Sequence, residues 1–501
     1  MAPSAVRKPQ RVMARRASKP STVPSRAYLF NRSVRTAPLR IKRASAQTLH
    51  LENGWNVFDA SGGAAVTGIG HLNARVEQAM IKTIQGGLSY VSSMMFDTDI
   101  TETFARFLVN TTEGKMSKVV FYSSGESPQS YFANATDASG GTEANEAAFK
   151  LALQYHATEK ANPEPTRRYF IARDRSYHGT TLGTLDMGGH KARRELWERV
   201  LPNNTTHISP CYSYRGLQTG ETKAEYVTRL KNELEAEIQR LGPHNVAAFI
   251  CEPVVGAALG CVPAEAGYLA AMREVCDRHG VLLIFDEVMC GMGRTGYLHA
   301  WQKDNVAPDI QTVGKGLAGG FQQLSAMLVS PKINDAFEHG PGSGAFSHGH
   351  TFQNYPLACA AGLEVQKIIQ EGNILQNVRS KGTRLSKLLK KRLGDHPNVG
   401  DIRGAGLFWG VEFVKDKRTK EPFPADMKLN FKIYEKGLAP PYEVHIYPGS
   451  GTVDGFNGDH IIVSPSYNVT DADVDAIVDR VGRLVEDFFS TLDVPSTPAT
   501  P

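Results

Sequence analysis

Alternation constrains this chain most. Short apolar runs of strand length recur between longer stretches with helical spacing. Val119–Tyr122, Tyr169–Ala172, Ala247–Cys251, Val281–Phe285, Ile310–Val313 and Ala326–Val329 have no polar face, so they read as strands buried on both sides. Glu143–Gln154, Lys223–Leu241 and Glu265–His279 read as helices between them, the last stopped by Gly280. Strands and helices taking turns predict an α/β layer around a largely parallel sheet. Beyond about residue 360 the pattern changes. Amphipathic helices over about 358–394, with a break near Gly372, and over 471–489 flank short strands such as Phe408–Phe413 and His460–Val463. This predicts a smaller α+β unit.

Charge is uneven along the chain. Residues 1–50 hold 12 Lys and Arg and no Asp or Glu, whereas the rest carries 44 basic against 51 acidic residues. A mildly acidic body argues against a nucleic-acid surface. The basic head, residues 1–25, has two readings: a mitochondrial transit peptide, or a disordered tail on a cytoplasmic protein. Pro3, Pro9, Pro20 and Pro24 weigh against a long amphipathic helix there. The Pro- and Thr-rich tail 491–501 cannot form a core. Six scattered cysteines contain no C-x-x-C, which argues against zinc and against a disulfide framework. No segment is apolar for long enough to span a membrane.

Three local motifs lead nowhere. VLLIFDE (281–287) resembles the acidic strand of a nucleotidase, but the chain has no G-x-x-x-x-G-K-[ST] loop to go with it. Gly291, Gly293 and Gly296 form G-x-G-x-x-G but run into TGYLHAW, which reads as loop and not as a dinucleotide-binding helix. His348 and His350 lack a third ligand nearby and make a poor metal site, so no metal is expected.

A better pattern comes from the residues just past the end of each strand, because ligands of a parallel sheet gather at the carboxyl ends of its strands. Gly141-Thr142 opens a helix, Tyr177-His178 comes after the second strand, Glu252 after another, Asp286 after the next, and Lys315 stands 29 residues later in a Gly-flanked loop. A helix N-terminus suits a phosphate. A lysine can condense with an aldehyde, and an aspartate can keep a pyridine nitrogen protonated. An aromatic side chain can stack on a ring. In this order the set suits pyridoxal phosphate.

With these residues the chain resembles the class-III aminotransferases, pyridoxal-phosphate enzymes of fold type I. The matching strings are DASGGAAV (59–66), GTEANEAAFKLA (141–152), SYHGTTLGTL (176–185), CEPVVGAALG (251–260), LLIFDEVMCGMGRTG (282–296), PDIQTVGKGLAGG (308–320), HGHTFQNYPLACAA (348–361) and DIRGAGLFWGVEFV (401–414). The resemblance covers roughly residues 26–488. It implies a ping-pong transaminase that moves an amino group from an amine or amino acid to a keto acid or aldehyde. Lys315 would be the Schiff-base lysine and proton shuttle, and Asp286 the partner of the ring nitrogen. Tyr177 and Val288 would cover the two ring faces, with His178 and Glu252 beside them. Gly140, Gly141 and Thr142 would bind the phosphate, with Thr351 arriving from the other subunit of a homodimer. Arg403 would hold a substrate carboxylate, with Tyr90 also at the substrate; its plain alternative is an ion pair within the smaller unit. The large cofactor domain would span 90–355. The small domain would combine 26–89 with 356–490. Other outcomes of the same fold and cofactor are a racemase, mutase, decarboxylase or phospho-lyase.

Two departures stand out. Family members that handle both glutamate and ω-amino acids carry a Glu in the stretch matching Val255–Gly260, as a switchable partner for the carboxylate-binding Arg. Here Ala257 and Ala258 stand there, so Arg403 is left without an evident gate and an amine or hydrophobic donor gains ground. Second, residues 126–140 (ESPQSYFANATDASG) are inserted before GTEAN, with Ser124-Gly125 nearly duplicated as Ser139-Gly140. Three readings fit it: a retained intron, a looped-out surface insertion, or a disruption of cofactor binding that leaves a non-catalytic homologue.

Overall fold

The structure is a computed structural model that describes residues 28–123 and 141–492, apart from Arg32 and Val34. The head 1–25, the insertion 126–140 with Gly140, and the tail from 493 lie outside the described residues.

Seven strands build the central sheet: β1 (Lys118–Tyr122), β2 (Tyr169–Arg173), β3 (Thr205–Ile208), β4 (Val246–Cys251), β5 (Leu282–Asp286), β6 (Ile310–Val313) and β7 (Ser325–Val329). Their spatial order is β1-β7-β6-β5-β4-β2-β3. The six apolar runs of the sequence are all present. Strand β3 (TTHI) escaped the apolar search because it is polar and sits at the sheet edge. Strand β7 runs antiparallel to β6 and β1, so the sheet is mixed at that side and parallel through its centre.

Burial on both faces shows in the side chains of β4 and β5. Phe249, Leu283 and Phe285 pack with residues of Lys223–Leu241 and Tyr268–His279 on one face. Ala248, Ile250, Leu282 and Ile284 pack with residues of Gly141–Gln154 on the other. The helix 223–241 starts with a Thr222–Glu225 capping box, which satisfies backbone N–H groups at its first turn. Helix Tyr268–His279 begins three residues later than its apolar spacing suggests, after Gly267 at φ 84°, and Gly280 at φ 65° ends it as the sequence predicts.

The chain ends meet elsewhere. A four-stranded sheet joins Ile41–Ser45, Thr48–Leu51 and Asn56–Asp59 to Val444–His445. Another contains Val399–Ala405, Phe408–Phe413, Asp459–Val463 and Tyr447–Ser450. One apolar core unites Ala60, Ile69 and Val76 with residues between 361 and 488. Among the described residues, no helix is long and apolar enough to cross a membrane, and no group of three or more His, Cys, Asp or Glu is placed to hold a metal ion. All six cysteines are buried and free.

Candidate active site

Register brings the predicted residues together. Phe285 of β5 pairs with Cys251 of β4, and Asp286 pairs with Thr312 of β6. Glu252, Asp286 and Lys315 therefore leave neighbouring strands at the same edge. There they line one cavity with Gly141, Thr142, Tyr177, His178 and Val288. Asn145, Gly179 and Met289 complete the lining.

Lys315 occupies a short turn, Lys315–Leu317, directly after β6 and Gly314. Its backbone is held at φ 42°, a conformation that lysine rarely adopts and that costs about 1–2 kcal/mol. The turn is over-determined. Leu317 N–H donates to Gly314 O at 2.8 Å and Gly319 N–H to Lys315 O at 3.0 Å. The Gln366 amide donates to the carbonyls of Gly316 and Leu317 at 3.0 and 2.9 Å. The side chain of Lys315 is only 6% exposed.

Asp286 is the most constrained acid in the cavity. Its Oδ2 accepts from Asn145 Nδ2 at 2.9 Å and from His178 Nδ1 at 2.8 Å, and its Oδ1 accepts from Val288 N–H at 3.0 Å. A carboxylate offers about four acceptor positions, so room for one more donor remains. Asn145 is fixed in turn: its Oδ1 accepts from Thr312 Oγ1 at 2.6 Å, and its Nδ2 also donates to His178 O at 2.7 Å. Glu252 accepts from Tyr177 N–H at 3.3 Å and Gly256 N–H at 2.9 Å. Burial raises the Glu252 carboxyl above the ordinary range, and the nearby Asp286 charge adds to this.

Close packing shapes the remaining walls. A Cβ on Gly141 would lie 2.4 Å from Val288 Cγ1, and one on Gly314 would lie 3.4 Å from the same carbon. Both glycines thus seat Val288 in the cavity. Tyr177 is half-buried, with the Arg193 guanidinium 4.3 Å from its ring centre.

Three predicted residues are not brought to this cavity. Tyr90 is 46% exposed and meets Phe352 edge-on at 5.7 Å. Thr351 lies exposed in a turn beside Phe352. Arg403 is buried on Val399–Ala405 and ion-paired with Asp401 and Glu412. This is the ion pair within the smaller unit that stands as the plain alternative for Arg403. Glu412 stands on the adjacent strand, Phe408–Phe413, and not in the 255–260 stretch where the family pattern directs the search. The unused motifs have structural places. Arg294, within the glycine triplet, donates to the carbonyls of Leu407, Ser464 and Pro465. His348 and His350 lie against Tyr122, with ring centres 5.8 and 5.1 Å away.

Sequence reading missed Asn145, Thr312 and Gln366. Asn145 left a signal, being a poor helix former one turn inside an otherwise favourable helix and on the face of Gly141.

The cavity fits pyridoxal phosphate by its donor set. A buried amine on Lys315, a carboxylate with an acceptor position to spare on Asp286, and a helix N-terminus at Gly141-Thr142 answer the aldehyde, ring nitrogen and phosphate in turn. His178 Nε2 is buried without a hydrogen-bond partner among the described residues, so the site has polar capacity left over.

The family model described as aminotransferase class-III matches residues 29–485. An aminotransferase of Gibberella zeae is 46% identical, the match covering 91% of this chain and 86% of that one. A gamma aminobutyrate transaminase, chloroplastic, of Solanum lycopersicum is 32% identical over 90% of this chain and 81% of its own. Among solved structures, a PLP-bound amine transaminase from an uncultivated Pseudomonas species superposes with a TM-score of 0.81 at 28% identity, covering 94% of this chain and 99% of that one. A thermostable (S)-enantioselective omega-transaminase from Thermomicrobium roseum gives a TM-score of 0.80 at 30% identity, over 91% and 93%. The chain belongs to the class-III aminotransferases, enzymes of fold type I that depend on pyridoxal phosphate.

Proposed function

We propose that this transaminase takes an amino group from an amine or amino acid through Lys315 and passes it to a keto acid or aldehyde. The observation that carries the reading is the meeting of Lys315, Asp286 and the Gly141-Thr142 helix start around one cavity. When bound, pyridoxal phosphate supplies an electron sink for the substrate carbon that loses its proton. Asp286 would hold a proton at the ring nitrogen, and the hydrogen bonds from His178 and Asn145 keep its carboxyl group aimed. Lys315 Nζ would take the proton from the substrate carbon and act as the base that holds it. The strained, hydrogen-bonded turn beneath Lys315 fixes where that amine sits. Gly141 and Thr142 would hold the phosphate through backbone N–H and hydroxyl. Tyr177 and Val288, which line the cavity, would flank the ring.

The subunit is proposed to divide into a large part, 90–355, and a small part made of 26–89 with 356–490. The pairing of Val444 with Phe58 and the shared core support this division. A homodimer is also part of the reading. Met94, Met95 and Phe96, shortly after Tyr90 in the chain, are 88%, 84% and 68% exposed, an apolar segment that a second copy would cover. Thr351, exposed in a turn beside Phe352, is the residue expected to complete the phosphate site of the second copy.

The test is spectroscopic. Purified protein given pyridoxal phosphate absorbs in the visible, an amine donor bleaches that band, and a keto acid then restores it. A band that no donor changes would remove the transaminase reading.

A further inference from the structure

Tyr177 is held from outside the cavity that it lines. The Arg193 guanidinium lies 4.3 Å from the centre of its ring, within the range of a cation–π contact. Tyr177 is a lining residue and Arg193 is not, so the cation stands behind the wall that the ring forms. A guanidinium is planar and stacks on an aromatic face better than an ammonium does.

Arg193 is half-buried in a four-residue helix, Lys191–Arg194. One turn of helix does not keep its place by itself, and neighbours pin this one on two sides. On one side Arg194 Nη1 donates to Leu185 O at 3.0 Å, to Gly188 O at 2.9 Å and to Asp186 O. Its Nε meets Glu198 at 2.9 Å. On the other side His190 Nε2 donates to Ser450 O at 3.0 Å and Ala192 N–H to Gly455 O at 3.2 Å, both from the C-terminal part of the chain. The approach there is close: a Cβ on Gly455 would lie 2.9 Å from Lys191 Cβ. Arg175, two residues before Tyr177, ties the same segments together. Its N–H donates to Gly189 O at 3.1 Å, and its Nη1 to the carbonyls of Thr452 and Val453 at 2.9 and 2.7 Å. The ring and the cation behind it are thus carried by segments bound to one another and to residues 450–455.

We propose that Arg193 is a positioning residue that fixes the Tyr177 ring against the bound cofactor. A ring ordered before binding loses no torsional freedom when the cofactor arrives, and affinity gains by that saving. The proposal rests on the reading of Tyr177 as a wall of the cofactor site, and it extends that site to a residue that does not line it.

The experiment titrates pyridoxal phosphate into the full-length apoprotein, reading the dissociation constant by absorbance and the packing of the bound ring by its visible circular dichroism. Wild type, Arg193→Met, Arg193→Lys, Tyr177→Leu and Arg193→Met/Tyr177→Leu are compared. Arg193→Met should weaken binding by about 2- to 30-fold and diminish the dichroic band. Arg193→Lys, which keeps a cation over the ring, should lie between Arg193→Met and wild type. In the Tyr177→Leu background Arg193→Met should change affinity by less than about twofold. Arg193→Gln carries the same comparison if Arg193→Met does not fold. Wild-type affinity in Arg193→Met, no recovery by lysine, or the same loss with and without Tyr177 overturns the proposal. If the wild type itself forms no visible band, it is the transaminase reading that fails.

Discussion

Replacing Gly141 by alanine tests the cavity's construction with one methyl group. The new Cβ would stand 2.4 Å from Val288 Cγ1 and 2.6 Å from Cγ2, while carbon atoms rest about 3.5–4.0 Å apart. The deficit exceeds 1 Å on a side chain that is 9% exposed and has Gly314 behind it, so Val288 has no easy retreat. Overpacking of this kind costs about 1–3 kcal/mol. Val288 would be driven into the cavity space, so the cost should fall on cofactor binding, weakening it by about 5- to 150-fold. Titrating pyridoxal phosphate into the apoprotein by absorbance gives the number. Val288→Ala removes the colliding methyls, and Gly141→Ala/Val288→Ala should recover most of the loss as a coupling of about 1–3 kcal/mol. Wild-type affinity in Gly141→Ala, or the same loss with and without Val288, would refute the packing argument.

Three further outcomes rest on single contacts. Asp286→Asn cannot hold a proton at the ring nitrogen and should lower kcat by about 10²–10⁴-fold, measured in single-turnover reactions with saturating cofactor. Asn145→Ala removes one of two N–H donors to Asp286 Oδ2 and should lower kcat/KM by about 10-fold or more, since a hydrogen bond to a charged group is worth about 1.5–3 kcal/mol. Asp59 joins the chain ends. Burial works to raise its carboxyl, but hydrogen bonds from His445 and His71 outweigh it and hold the group well below the ordinary carboxylate range. A depressed folded-state value contributes stability that is present above the unfolded value and lost as pH falls below it. Melting scans of Asp59→Asn should therefore show a lower plateau near neutral pH and a shallower fall below about pH 4.

Much of the cavity was legible because the sheet is parallel at its centre. Residues placed just after successive buried strands must share one edge, so Glu252, Asp286 and Lys315 could be grouped without knowing any distance. What escaped has physical causes. Strand β3 is polar and lies at the sheet edge, where burial imposes no apolar pattern. Asn145, Thr312 and Gln366 act through hydrogen bonds across elements, and such contacts leave no periodic trace. The partner of Arg403 was sought in a neighbouring loop, yet it comes from strand pairing: Glu412 sits directly opposite Asp401, two residues from the arginine. Tyr90 and Thr351 gave no clue to their exposure, because both stand in irregular segments where no strand or helix period fixes which side chains are buried.

The central claim is that Lys315 is the amine that carries the cofactor. Reducing the pyridoxal-phosphate-loaded protein with borohydride and mapping its peptides by mass spectrometry tests this most directly. The account predicts one added pyridoxyl phosphate group on the peptide bearing Lys315, and none after prior exposure to a reactive amine donor. A label on another lysine, or no label on a protein that still transaminates, would contradict it.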